Sequence, residues 1–276
     1  MSVENTFDNQ ERSASPEAPT DRRSWEPPAL RLLGILTTLA LWQLATSSQL
    51  LGPQFGPSFA PLSSLRALFG MAERGEILRH LLPSLQRVAV GLLIASAIGI
   101  PVGVLVGYYR RLEWATTTVF QFIRMISPLA WMPIAIIAFG VGDRAIYFLI
   151  AATAVWPIIL NTAHGVNSMD PIWLKVARNL GASETLTLRR VVVPAVLGDI
   201  LTGLRVAIGI SWVVLVPAEM LGVSSGLGYY ILDTRDRFRY DELMAVVLLT
   251  GFVGFALDWS VRKLKGRFAW RDAILV

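Results

Sequence analysis

Apolar segments long enough to cross a lipid bilayer constrain this chain more than any other feature. Six run at about Leu32–Leu51, Pro83–Tyr108, Trp114–Phe139, Ala145–Ala163, Pro194–Leu221 and Leu243–Leu264. Each is judged against the roughly 20 residues that a spanning helix needs. Backbone polar groups in hydrocarbon find partners only within such helices or within a closed barrel. The spans therefore predict an all-α membrane protein, a polytopic bundle of about six transmembrane helices. Charge content agrees: 16% of the residues are charged, against about 25% in soluble domains. Three spans carry interruptions. The first contains Gln43 with several Thr and Ser. The third contains Arg124, Pro128 and Pro133, and the prolines predict a break. The fifth contains Arg205, Pro217 and Glu219, so only part of it is expected to cross.

Residues 1–28 are polar and are expected to be a disordered cytoplasmic tail. Residues 29–276 are expected to form the membrane domain. No cleavable signal is expected, because the first apolar run begins near Arg31 without a small-residue cleavage pattern after it. The chain has no cysteine, and its two histidines, His80 and His164, are far apart, so no metal site is expected. Catalytic groups do not cluster in sequence, which points away from an enzyme. A glycine-rich run, Gly222–Tyr230, lacks the following Lys-Ser/Thr of a phosphate loop and reads as a flexible turn. Nothing in the chain predicts a bound cofactor or a nucleic-acid partner.

Basic residues set the orientation. With both termini inside, 15 Lys and Arg fall on the inner side and 7 on the outer, while Arg87, Arg124 and Arg205 lie within spans. That bias places both termini in the cytoplasm. It also places the polar interruption between the fourth and fifth spans inside. This interruption, Asn167–Pro194, reads as two short helices meeting at a glycine. Asp170 caps the first, with Pro171 in its opening turn. Gly181 suits a left-handed residue at its end. Ser183 caps the second, Glu184 lies at its positive end, Arg189 and Arg190 lie near its negative end, and Pro194 stops or kinks it. So much ordered polar helix in one loop predicts a docking element.

That loop resembles the EAA loop by which permease subunits of bacterial ABC importers grip their ATPase. Ala177 matches the second alanine, Gly181-Ala182 the Gly-Ala pair, and Val191-Val192-Val193-Pro194 the Ile-x-Leu-Pro end. Lys175 stands where the family often has Glu, and Val176 replaces an Ala. Ser127–Ile134, Thr202–Gly209, Trp212–Leu221 and Ser225–Tyr229 are similar to permeases of the nitrate, bicarbonate, taurine and sulfonate importers. The resemblance spans roughly Leu82 to Lys265. It implies a permease in the bacterial inner membrane, paired with a second permease copy and two cytoplasmic ATPase subunits that bind ATP and Mg. An extracytoplasmic solute-binding protein would deliver a small anion such as nitrate, bicarbonate, taurine or another sulfonate. A coupling loop at about residues 164–194 is implied, using Asp170, Lys175, Ala177, Arg178, Gly181, Ala182 and Pro194. Ala177 is expected on the face that fits the ATPase groove. The rival is a secondary carrier driven by an ion gradient. It would need no docking loop and should show acidic or histidine relays inside its spans, which are sparse here.

Charged and aromatic residues within the spans leave alternatives open. Arg124, one turn before Pro128, either attracts an anion along the pathway or snorkels to the interface. Trp131 lies between Pro128 and Pro133, where an unwound turn could present backbone groups to a cavity. Trp156 and Trp212 are packing or pathway residues. Arg205 and Glu219 are too far apart on one helix to pair, so Glu219 either pairs with another span or gates the pathway. Asp199 and Asp258 are expected near cytoplasmic ends, solvated or paired.

Overall fold

The structure, a computed structural model, describes residues 28–48 and 56–272. The expected tail therefore lies outside the described residues, apart from Pro28. The chain divides into two units, residues 1–56 and 57–276. The first contains α1, Pro28–Ser47. Its apolar stretch, Leu32–Ser47, is shorter than a full crossing, and Leu32, Leu36 and Leu41 are exposed.

The second unit holds α2 (Pro61–Glu73), α3 (Glu76–Tyr108), α4 (Arg110–Arg124), α5 (Met132–Phe139), α6 (Asp143–Ser168), α7 (Pro171–Asn179), α8 (Glu184–Thr187), α9 (Val193–Ala195), α10 (Leu197–Gly222), α11 (Leu227–Asp236) and α12 (Tyr240–Asp272). Among the described residues there is no strand. Four of these helices, α3, α6, α10 and the Tyr240–Lys263 part of α12, are long and apolar enough to span a membrane. A fifth span results if α4 and the Pro128–Phe139 segment, bent by 87°, count together.

Helix α6 lies between α3 and α10 and packs on both. On α3, Gly91, Ala95, Gly99, Gly103 and Gly107 recur every four residues and are all buried. A Cβ at Gly103 would lie 2.7 Å from Thr162 Cβ, and one at Gly107 2.7 Å from the Ala163 carbonyl. The small side chains thus let two backbones approach closely, as membrane helix pairs do without a hydrophobic driving force between them. From the other side, a Cβ at Gly203 of α10 would lie 2.9 Å from the Pro157 carbonyl. Ile146, Leu149 and Ile150 of α6 meet Leu215 and Ala218 of α10 and Leu227 of α11 in the main core.

Three expectations need correction. The third span is broken as expected, but not at Pro133. That proline sits in the first turn of α5, where no backbone donor is lost, and the chain turns instead at Met125–Ser127 and the 3-10 turn Pro128–Trp131. Pro217 does not break the fifth span either: α10 runs unbroken from Leu197 to Gly222 through Arg205 and Glu219. The run Glu76–Leu82 is the first part of α3. The glycine-rich run is not a flexible turn, because Leu227 opens α11 and is buried together with Gly228 and Tyr230.

Candidate functional site

The loop after α6 has the local structure that its residues dictate. Asp170 Oδ1 accepts a hydrogen bond from the Ile172 amide at 2.8 Å, and Pro171 occupies the first turn of α7. Gly181 has φ +72°, and the Ala182 amide donates to the Ala177 carbonyl at 3.0 Å, closing the end of α7. Ser183 Oγ accepts from the Leu186 amide and caps α8. The chain then passes through a wide turn, Leu188–Val192, into α9 with Pro194.

One residue departs from expectation. Ala177 does not lie on the outward face of α7; it is buried, and α7 packs on the Leu188–Val192 turn. Neighbouring Leu174 packs on a core of Val166, Val192 and Val196. The outward face carries Ile172, Trp173 and Val176, each about half exposed or more, and Leu180 beyond the helix end is 81% exposed. Lys175, Arg178, Gly181 and Pro194 are also at the surface, and Ala182 is half-buried. A short amphipathic helix thus turns its polar and much of its apolar surface outward while a small residue seats it.

A cavity of about 600 Å³ opens in the angle between α4, the Pro128–Trp131 turn, α6 and α10. Its walls include Arg124, Pro128, Trp131, Trp156, Asn161 and Ile210. Arg124 is the single charged residue among them. It is exposed, and no carboxylate among the described residues pairs with it. A guanidinium with no carboxylate partner keeps its full charge available to an anion that enters the cavity.

Trp212 and Glu219 lie elsewhere. Trp212 is buried against α12, where its Nε1–H donates to the Thr250 carbonyl at 3.1 Å beside Gly254. Glu219, fully buried, accepts from Arg87 Nη1 at 2.6 Å, from Ser84 Oγ at 2.8 Å and from the Gly228 amide at 2.9 Å. Arg87 also pairs with Asp143 at 2.8 Å and donates to the Ser225 carbonyl at 2.7 Å. This network joins α3, α6, α10 and the start of α11. A Cβ at Gly226 would collide with Glu219 and Arg87, which explains the glycine. Arg205 likewise finds its partner on another helix, Asp258 of α12, at 3.0 Å.

Beyond this network, on the same end of the bundle, Arg74 bridges Glu76 at 3.0 Å and Glu242 at 2.7 Å, and Glu242 also pairs with Arg239. Tyr230 donates to Glu76 at 2.7 Å; burial and that acceptor hold its hydroxyl well above its usual pKa, so it remains a donor.

The family model of binding-protein-dependent transport system inner membrane components matches residues 99–269. The chain belongs to this family. It is 42% identical over 245 residues to the bicarbonate transport system permease protein CmpB of Synechococcus elongatus, which covers 86% of this chain and 87% of that protein. It is 41% identical over 184 residues to the nitrate import permease protein NrtB of Leptolyngbya laminosa, covering 67% and 66%. The putative aliphatic sulfonates transport permease protein SsuC of Bacillus subtilis is 31% identical over 236 residues, covering 85% of each chain. Among solved structures, the fold is similar to a bacterial ABC transporter involved in the import of alginate, with TM-score 0.60 and 14% identity over 87% of this chain and 94% of that one. The chain is a permease subunit of an ABC importer, a transporter component held in the membrane.

Within this permease, the sequence alone brings Arg124, Pro128 and Trp131 to one place but misses the role of Arg87. The signal was available. Glu219 lies deep in an apolar span and needs a cation, and Arg87 is an equally isolated cation in another span. Asp143, at the start of α6, is the second carboxylate on Arg87.

Proposed function

We propose that this permease forms the membrane pathway of an ATP-driven importer for a small oxyanion, bicarbonate, nitrate or a sulfonate. The observation that carries the reading is Arg124, a lone unpaired cation on the wall of a large, otherwise uncharged cavity. The names of the similar permeases support the same class of solute. Pro128 and Trp131 shape the cavity where the third span turns.

Coupling is assigned to the loop between α6 and α10. The outward face of α7, with Ile172, Trp173 and Val176, and Leu180 just beyond it, fits a groove on a cytoplasmic ATPase. Lys175 and Arg178 flank that face. Asp170, Gly181, Ala182 and Pro194 fix its shape, and Ala177 seats it. Two permease copies, two ATPases holding ATP and Mg, and an extracytoplasmic solute-binding protein complete the assembly, with both permease termini in the cytoplasm. Solute delivered at the outer mouth would pass Arg124 as ATP closes the ATPases and moves α7. The transport cycle needs solute contacts that differ between the outward-open and inward-open states.

Reconstitution in liposomes with the ATPase and the binding protein tests this reading. Uptake of labelled bicarbonate, nitrate or a sulfonate that requires ATP inside the vesicles supports it. Uptake that follows an imposed ion gradient without ATP overturns it in favour of a secondary carrier.

A further inference from the structure

Phe238, in the turn between α11 and α12, combines three properties that do not ordinarily occur together. It has φ 59°, the only described residue other than glycine with a left-handed backbone. Its position is the end of a helix, where the Phe238 amide donates to the Arg235 carbonyl at 3.0 Å and the Arg239 amide to the Thr234 carbonyl at 2.9 Å. Glycine is the residue that suits such a position without steric cost. Phe238 is also 75% exposed, and its ring meets the edge of Tyr240, with centroids 6.2 Å apart. Burial does not offset the backbone strain, so neither folding nor packing explains a phenylalanine there. Strain retained without a packing benefit is a mark of a surface that has work to do.

The surroundings indicate what kind of surface. Asp233, Arg235, Asp236, Arg237, Arg239 and Asp241 crowd within five residues of Phe238. Alternating acids and bases do not suit a ring that dips into lipid headgroups. They do match the charged rim around an aromatic anchor in a protein interface. Next to this rim lies a pocket of about 370 Å³ lined by Ser63, Arg66, Arg74, Asp241 and Glu242. Arg74 is held there by two carboxylates, whereas Arg66 is exposed and has no ion-pair partner among the described residues. The ring projects and the pocket recedes, and both are at the end of the bundle that basic-residue counting places outside.

We propose that Phe238 and the Arg66 pocket form the docking surface for the solute-binding protein. The ring enters a hollow on that protein, and one of its carboxylate side chains enters the pocket to pair with Arg66. The inference rests on the importer reading and on this end facing outward.

The test uses the assembled permease–ATPase complex in nanodiscs, titrated with loaded binding protein while ATP hydrolysis is followed. Phe238→Ala and Phe238→Gly raise the half-saturating concentration of binding protein about tenfold or more and leave the basal and maximal rates unchanged. Phe238→Gly also keeps or raises the melting temperature, which a purely structural phenylalanine would not do. Arg66→Gln shifts the titration in the same direction. An unchanged half-saturation in both Phe238 variants overturns the docking surface and leaves the importer reading standing. A loss that follows the lipid headgroup composition of the nanodisc rather than the binding-protein concentration makes the ring a membrane anchor and overturns it too. Absence of any stimulation in the wild-type complex instead overturns the importer reading, and the docking surface with it.

Discussion

Arg87 Nη1 lies 2.6 Å from Glu219 Oε1, joining α3 to α10 across 132 positions of sequence, with both side chains almost completely buried. A charge left alone there has no water to turn to, so the pair is far costlier to halve than its net contribution suggests.

Removing one partner should therefore destabilise the permease strongly. Arg87→Leu is expected to cost about 3–5 kcal/mol, read as a lowered melting temperature of the purified protein in detergent. Glu219→Gln keeps the shape and some hydrogen bonds and should cost less. Equal melting temperatures for Arg87→Leu and wild type would show that the network contributes little.

Docking of the ATPase should depend on the exposed residues of the coupling helix. Trp173→Ala and Leu180→Asp should lower copurification of the ATPase, or leave hydrolysis uncoupled from uptake, while the permease itself keeps its melting temperature. Ala177→Arg and Gly181→Pro should act differently. They force a large side chain into a buried seat and a proline onto a residue at φ +72°, so both should disturb the fold of the loop as well. Full complex yield with normal uptake in all four variants would remove the loop from coupling.

Sidedness can be read by cysteine labelling, since the chain has no cysteine of its own. Arg189→Cys should react only from the cytoplasmic side and Ser224→Cys only from the other. Both positions are exposed, whereas neighbouring Gly226 is buried against Glu219 and makes a poor reporter. Reaction of both variants from one side would break the topology.

The cavity makes a kinetic prediction. Arg124→Gln should raise the substrate concentration for half-maximal uptake while changing the maximal rate much less, because attraction matters most when substrate is scarce. Trp131→Ala should alter uptake in a complex that still assembles. A ring needed only for packing would instead leave a void costing about 3–5 kcal/mol and lower the yield of complex. Wild-type transport by both variants would take the cavity out of the pathway.

The helices and their caps could be read along the chain because their causes are local. Asp170, Pro171, Gly181 and Ser183 each fix the backbone within three or four residues of themselves. Resemblance supplied the loop's expected role. Ala177 lies on the other face from the one the resemblance implies: α7 buries this small side chain and keeps the larger Ile172, Trp173 and Val176 outward. The partner of Glu219 was hidden for another reason: pairing across three helices depends on how they pack, and α3 packs on α6 through a glycine stripe whose contacts are tertiary. Two prolines misled, since Pro217 inside a long apolar helix is accommodated by its neighbours and Pro133 falls in an opening turn, whereas Pro128 does lie at the bend of the third span.

Helix α6 begins at Asp143, which holds Arg87, and ends at Ser168, two residues before the cap of α7. At 1.5 Å per residue its 26 residues make a rod about 39 Å long. Seated along α3 where side chains are smallest, the rod has little room to slip. If α7 is the coupling element proposed above, a push delivered at Pro171 would reach the far end of α6 as a tilt or a thrust of the helix, and the Arg87 network would be the fixture there.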